Sequence, residues 1–241
     1  MTETFRPVYP VRIHATLDNP SRWLWLVKWV LIVPHLIVLL ALWVAFWVMG
    51  LVALVAIVIT GRYPRAIFEF NLGVMRWDWR VVYYAYGVLG TDRYPPFSLG
   101  EEPDYPATLY IDYPERLSRG LALVKWWLLA IPHYLILALV VGGTWFTWSF
   151  SDNDWAWGGS ILGLLVLIAA IMTAVTGSYP RPLFDIILGI HRWSLRVAGY
   201  AALMTDKYPP FRLDLGGEEP GTNPPVAPVQ AAQPPAPQPT A

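Results

Sequence analysis

The stretch TGRYPRAIFEFNLGVMRWDWRV, Thr60–Val81, returns at Thr176–Val197 as TGSYPRPLFDIILGIHRWSLRV. Corresponding positions lie a constant 116 residues apart. The chain is therefore a tandem duplication, and a property read from one copy is expected in the other. A long apolar run precedes each copy. A closing turn follows each: TDRYPPFSL at Thr91–Leu99 and TDKYPPFRL at Thr205–Leu213.

The apolar runs decide the class. From Trp23 to Thr60 the only charge is Lys28. That is about 38 residues, whereas one membrane span needs roughly 20. Two tightly connected spans turning near Phe46–Gly50 are expected, with a re-entrant hairpin as the competing arrangement. In the second copy the run Leu121–Phe150 is followed by the polar turn SDNDWAWGGS and then by Ile161–Thr176. Four spans result, at about 22–43, 46–60, 120–149 and 158–176. Composition agrees: only 14% of residues are charged, against about 25% in soluble domains. Fourteen Trp and thirteen Tyr fit rings collecting at the membrane–water interface.

Charge excludes other classes. The net charge is zero and no basic tail or nucleic-acid motif is present, so no nucleic-acid partner is expected. The absence of Cys removes disulfides, thiolate metal sites and a Cys nucleophile. Lys and Arg flank the apolar runs, while the Ser151–Gly159 turn carries only Asp152 and Asp154. By the positive-inside tendency both termini are expected in the cytoplasm, with the protein multi-pass in the cell's inner membrane.

Outside the spans, Val8–Leu17 and Tyr105–Tyr113 both open on Tyr-Pro and alternate apolar with polar residues. They are expected to pair as a small β-ribbon at the membrane surface. The signature stretch is expected to be a helix, since Pro64 and Pro180 stand where a first turn tolerates proline. On it Arg65, Glu69, Arg76 and Arg80 share one stripe, and Arg181, Asp185, Arg192 and Arg196 repeat it. A basic stripe opposite an aromatic-rich face predicts an amphipathic helix lying along the interface. The expected fold class is thus an all-α integral membrane protein: a duplicated transmembrane helical hairpin plus interfacial helix, with a β-ribbon from residues 8–17 and 105–113. The units are residues 1–100, 101–215 and a Pro-rich disordered tail, 216–241.

The succession of apolar run, TGxYPRxxFxxxLGxxRWxxRV and TDxYPPF, twice over, resembles the bacterial membrane-protein family catalogued as domain of unknown function 4389. The resemblance covers most of residues 8–213. It implies a bacterial, often actinobacterial, membrane protein, and it brings no catalytic or binding residues with it.

Candidate site residues therefore come from chemistry alone. Lys28 and Lys125, each in an LVKW segment, are either snorkelling residues or cationic anchors for lipid phosphate. His35 and His133 each follow a Pro inside an apolar run, where an ionisable group is a functional candidate by default. Their readings are a structural hydrogen bond, proton or polar-ligand handling, or metal ligation. No metal or cofactor is expected, because no carboxylate-rich or HExxH-type pattern accompanies them. The Lys-to-His interval is seven residues in the first copy and eight in the second, so a regular helix cannot present both pairs alike. The stripe residues read either as solvated Arg65–Glu69 and Arg181–Asp185 pairs or as contacts to anionic headgroups. Trp77 and Trp193 read as interface anchors.

The expected function is a non-enzymatic structural or interaction protein that contacts anionic lipid through its doubled basic helices. A protein partner for the tail and a homo-oligomer are further readings. The alternatives are a small transporter or channel component using the His pair, and a lipid-modifying membrane enzyme.

Overall fold

The computed structural model describes residues 9–142 and 160–216. The turn carrying Asp152 and Asp154, and the tail after Gly216, lie outside the described residues.

Strands β1 (Val11–Ala15) and β2 (Ala107–Ile111) pair antiparallel, with Ile13 opposite Leu109 at the centre. Val11, Ile13 and Ala15 alternate inward, as do Ala107, Leu109 and Ile111. A two-stranded ribbon is marginal alone and needs a surface to bury this face. That surface is supplied by α3 (Arg65–Tyr84) and α7 (Arg181–Ala201). The strands are equivalent segments of the two copies, so the duplication becomes a pseudo-twofold about the Ile13–Leu109 pair. The halves are interlocked: β1, which opens the first copy, packs on α7 of the second, and β2, which opens the second, packs on α3 of the first.

The apolar helices form the layer on the other side. They are α1 (Trp25–Leu31), α2 (Val33–Thr60), α4 (Arg119–Val124), a π-helical turn (Lys125–Leu129), α5 (Ile131–Val140) and α6 (Ile161–Thr176). Helix α2 packs on α3 and α4, and α6 packs on α7.

The first copy departs from the expected hairpin. Helix α2 runs unbroken through Phe46–Gly50, about 42 Å at 1.5 Å per residue. The stretch FWVMG offers a single Gly and no Pro, Asn or Asp, and an isolated Gly costs only about 1 kcal/mol in a helix. The break falls instead at Ile32, beside Pro34, between α1 and α2. Along α2 the buried residues His35, Leu39, Phe46, Ala53 and Ile57 form one narrow stripe at heptad-like spacing. The remaining faces stay exposed: Leu40 is 70%, Trp47 66% and Ile59 66% accessible. By length and composition α2 and the stretch Arg119–Val140 are each long and apolar enough to cross a membrane, and α6 is a shorter apolar helix.

The signature helices also differ from expectation. They are the middle layer of the molecule, not surface helices: Phe68, Leu72, Met75, Trp79 and Val81 on α3 and Phe184, Leu188 and Val197 on α7 are buried. The closing segments cross over them closely. A Cβ on Gly73 would stand 2.8 Å from Leu99, and one on its counterpart Gly189 would stand 3.0 Å from Leu215.

Candidate functional site

The buried cations settle the architecture first. Lys28 and Lys125 have no exposed surface. The Lys28 ammonium donates to the Thr91 carbonyl at 2.7 Å and pairs with Asp92 at 2.9 Å. The Lys125 ammonium donates to the Thr205 carbonyl at 2.9 Å and pairs with Asp206 at 2.8 Å. Neither ammonium reaches out to headgroups; each clamps the TD turn that closes its own copy. The same aspartates accept from the Ser21 and Ser118 amides, both at 2.6 Å. Burial opposes ionisation of Asp92, but the bonds from Ser21 and the Lys28 ammonium outweigh it and hold its carboxyl below the usual range.

The histidines are built into matching aromatic boxes. The Trp77 indole donates to His35 Nδ1 at 2.9 Å, and the Trp193 indole to His133 Nδ1 at 3.1 Å. Phe97 stacks on His35 at 3.9 Å and Phe211 on His133 at 4.1 Å. Tyr94 and Tyr208 complete the boxes, each 4.9 Å from its His ring. An Nδ1 that accepts must be unprotonated, so both rings are neutral with the hydrogen on Nε2. Trp77 and Trp193 are thus internal struts, not interface anchors.

Equal boxes from unequal spacing have a visible cause. In the second copy the extra residue between Lys125 and His133 is absorbed by the π-helical turn Lys125–Leu129. The register is restored beyond it. The Tyr94 hydroxyl donates to the Leu31 carbonyl and the Tyr208 hydroxyl to the Leu129 carbonyl, positions that correspond only after the insertion.

Four arginines of the basic stripe, Arg76, Arg80, Arg192 and Arg196, turn inward. Arg76 donates to the Leu109 carbonyl at 3.0 Å and pairs with Glu101 at 2.5 Å. Arg80 donates to the carbonyls of Gly100 and Ser98. Arg192 donates to the carbonyls of Ile13, Asp214 and Gly216, and Arg196 pairs with Asp214 at 2.5 Å. Arg80, Arg192 and Arg196 are at most 2% exposed. A guanidinium tolerates burial when its donors all find acceptors. Here the ribbon and the closing segments supply most of them, with Arg80 Nε left without an acceptor among the described residues. Arg76 of the first copy holds Leu109 and Arg192 of the second holds Ile13, the central pair of the ribbon. The two copies are stapled to each other by these arginines, which are not a surface for headgroups.

Cross-copy contacts continue elsewhere. The Tyr9 hydroxyl donates to the Lys207 carbonyl and that of Tyr105 to the Arg93 carbonyl. Tyr179 donates to the Val88 carbonyl at 2.8 Å. His191 Nε2 lies 3.0 Å from the Gly87 carbonyl. Burial pushes the His191 imidazole down to about 4, against the opposing pull of that carbonyl.

Six arginines, the stripe's own Arg65 and Arg181 among them, face outward. Arg22, Arg62, Arg65, Arg116, Arg119 and Arg181 are exposed. Among the described residues these six guanidinium groups form no ion pair or hydrogen bond; Lys207 is the other cation in that position, and Arg65 lies over the Tyr113 ring at 4.9 Å. Neither Arg65–Glu69 nor Arg181–Asp185 closes as an ion pair among them. All six stand where apolar helices begin or end. Helix α2 stops at Gly61 and α6 at Gly177, both in the left-handed region with φ of 72° and 79°. Arg119, at the head of α4, approaches Gly61, with its Nε 3.7 Å from where a Cβ would be. Arg22, leading into α1, packs its guanidinium on Gly177. A cation at a helix C-terminus complements the helix dipole, and each copy provides that cation to the other. Periodicity singled out Arg65 and Arg181. Arg22, Arg62, Arg116 and Arg119 were legible only as charges flanking apolar runs.

Against known proteins, the profile of the family described as Domain of unknown function (DUF4389) matches residues 22–98 and 155–212, more than half of the chain. No curated protein and no solved structure matches it.

Proposed function

The chain belongs to the DUF4389 family, and from that premise we propose that it is a membrane-embedded, non-catalytic interaction protein that contacts anionic lipid headgroups. The observation that carries this reading is the separation of its cations. Arg76, Arg80, Arg192 and Arg196 of the signature stripe and the lysines of the LVKW segments are held inside, while six arginines unpaired among the described residues, the stripe's Arg65 and Arg181 included, border the exposed apolar faces of α1, α2, α4 and α6. A cation beside an anionic leaflet gains about 1 kcal/mol, and the gain is screened by salt. The contact thus moves from the stripe expected on sequence grounds to the helix ends. A multi-pass arrangement with cytoplasmic termini remains the topology this reading adopts, from the Lys and Arg flanking the apolar runs.

A transport role for the His pair draws less support. The rings sit in separate boxes that share no residue, and accepting from an indole opposes the protonation that a relay needs.

Two measurements test the reading. After an alkaline carbonate wash, the protein is expected to stay with the membrane pellet. In reconstituted vesicles, brominated phosphatidylglycerol is expected to quench tryptophan fluorescence more than brominated phosphatidylcholine at equal mole fraction, and less so in high salt. Release into the wash, or equal quenching by the two lipids, contradicts it.

A further inference from the structure

The two ends at which one copy meets the other share a backbone plan but not a charge. At the first, residues 61–65 lie against residues 113–119: the Leu117 amide donates to the Gly61 carbonyl at 2.9 Å and the Tyr113 hydroxyl to the Tyr63 carbonyl at 2.5 Å. At the second, the residues after α6 lie against those before α1, with Arg22 on Gly177. Position by position, Arg62 corresponds to Ser178, Arg65 to Arg181, Arg116 to Asn19 and Arg119 to Arg22. The first junction therefore gathers four arginines and the second only two.

We infer that the first junction, formed by Arg62, Arg65, Arg116 and Arg119, is a discrete binding site for the phosphate of one anionic phospholipid, and that the second junction is a weaker copy of it. The inference rests on the lipid-contacting function proposed above and names where that contact is strongest. Structural duties account for Arg119, which approaches the C-terminus of α2, and for Arg65, which lies over Tyr113. They do not account for Arg62 and Arg116. Both are exposed and close no ion pair among the described residues, although Glu115 and Glu69 are near in sequence. Glu115 has its own counterpart in Asp18, which pairs with Arg93 at 3.3 Å, so an acidic residue is common to both junctions and the arginines make the difference.

A lipid fits better than a soluble anion because the acyl chains have somewhere to lie. Next to the arginines, α2 exposes Ile59 at 66% and Val55 at 59%, and the second copy exposes Leu123 at 50% and Trp127 at 49%. A phosphate held by the guanidinium groups thus continues into apolar surface. At the second junction an arginine in place of Asn19 would be strained, because that residue has a φ of 34°. Pro20, standing where Leu117 stands, has no amide to give the Gly177 carbonyl.

The second copy supplies the test. The substitutions Arg62→Ser and Arg116→Asn place in the first junction what the second already carries. The local turn tolerates the first of them, since the Ser178 amide donates to the Thr176 hydroxyl as the Arg62 amide does to that of Thr60. Native mass spectrometry of the full-length protein in detergent, titrated with phosphatidylglycerol, is expected to show one lipid retained ahead of the rest. The double variant loses that first affinity by roughly tenfold or more with its thermal unfolding unchanged, and Ser178→Arg gains a second retained lipid. Inorganic phosphate at the same concentration is expected not to displace the lipid; displacement would mean a phosphate site without lipid specificity and would overturn the assignment. Undiminished binding by the double variant, with phosphatidylglycerol still preferred over phosphatidylcholine, overturns this site and leaves the broader function standing. Equal retention of the two lipids by the unaltered protein removes both.

Discussion

In the first copy seven residues separate Lys28 from His35; in the second, eight separate Lys125 from His133. Yet each lysine clamps its own TD turn and each histidine accepts from its own tryptophan, at distances agreeing within 0.2 Å. The backbone changed so that the side chains need not: a turn of α-helix after the lysine in one copy, a π-helical turn in the other. At the junctions the reverse holds, with a shared backbone plan and different side chains. The lysine and histidine contacts inside the protein are duplicated, and the charges facing outward diverge.

The largest effect that could break this comparison concerns the buried arginines. Arg196 and Asp214 are 0% and 8% exposed at their side chains, whereas Glu101, the partner of Arg76, is 55% exposed. Removing one member of a buried pair costs about 3–5 kcal/mol when it strands the other; Asp214 keeps a second partner in Arg212 at 3.1 Å, which softens the loss. Arg196→Ala is therefore expected to lower stability in detergent by about 3 kcal/mol, the lower end of that range, and Arg76→Ala by about 1–2 kcal/mol. Equal losses, read by chemical denaturation, would show that burial of the partner carboxylate does not set the cost.

Next in size is a one-residue deletion. Deleting Trp127 straightens the π turn and is expected to cost less than about 1.5 kcal/mol, since the Lys125 and His133 contacts survive in α-helical register. Deleting Trp29, its counterpart, pulls either Lys28 or His35 out of place and is expected to cost about 3 kcal/mol. Thermal unfolding of the two variants ranks them.

A smaller effect is conditional on pH. His191 occupies the position that Met75 holds in the first copy. Its folded-state value near 4 lies below the unfolded value of about 6.5, so its neutral form is favoured by folding. The sign follows: stability from this residue is present above pH 6.5 and is lost as pH falls from there toward 4. The loss reaches about 2 kcal/mol at pH 5. The difference in stability between the unaltered chain and His191→Met, measured across that window, should carry this slope; a flat difference would show that the ring is not held neutral. The smallest expected effect is that of Trp77→Phe and Trp193→Phe, about 1 kcal/mol each for the lost bond to His, and alike in the two copies.

Much of this architecture was legible in the sequence. The repeat was visible directly, and the ribbon followed from two Tyr-Pro segments with strand alternation. The orientation of the basic stripe was not. Helical spacing says that Arg65, Arg76 and Arg80 share a face, but not that Arg65 stays exposed while the other two are covered. The acceptors are backbone carbonyls of Leu109, Ser98 and Gly100, which no side-chain pattern displays. The interlocking of β1 with α7 and β2 with α3 was hidden for the same reason, because nothing local distinguishes a strand packing on its own copy from one packing on the other. The unbroken α2 had a signal: FWVMG lacks the Asp and Asn of SDNDWAWGGS, a difference that the length of the run does not carry. The unequal Lys-to-His interval was legible as an anomaly, and the π turn is its answer.

The central claim is that the chain keeps two populations of arginine, one inside and one facing lipid. Arginine-selective dicarbonyl modification of the unaltered protein in detergent, followed by mass spectrometry, tests it without any substitution. Arg22, Arg62, Arg65, Arg116, Arg119 and Arg181 are predicted to react fast and to be shielded when phosphatidylglycerol is added, while Arg80, Arg192 and Arg196 react only on unfolding. Fast modification of Arg80, Arg192 and Arg196 in the folded protein, shielded by the same lipid, would contradict the account and return the stripe to the membrane surface.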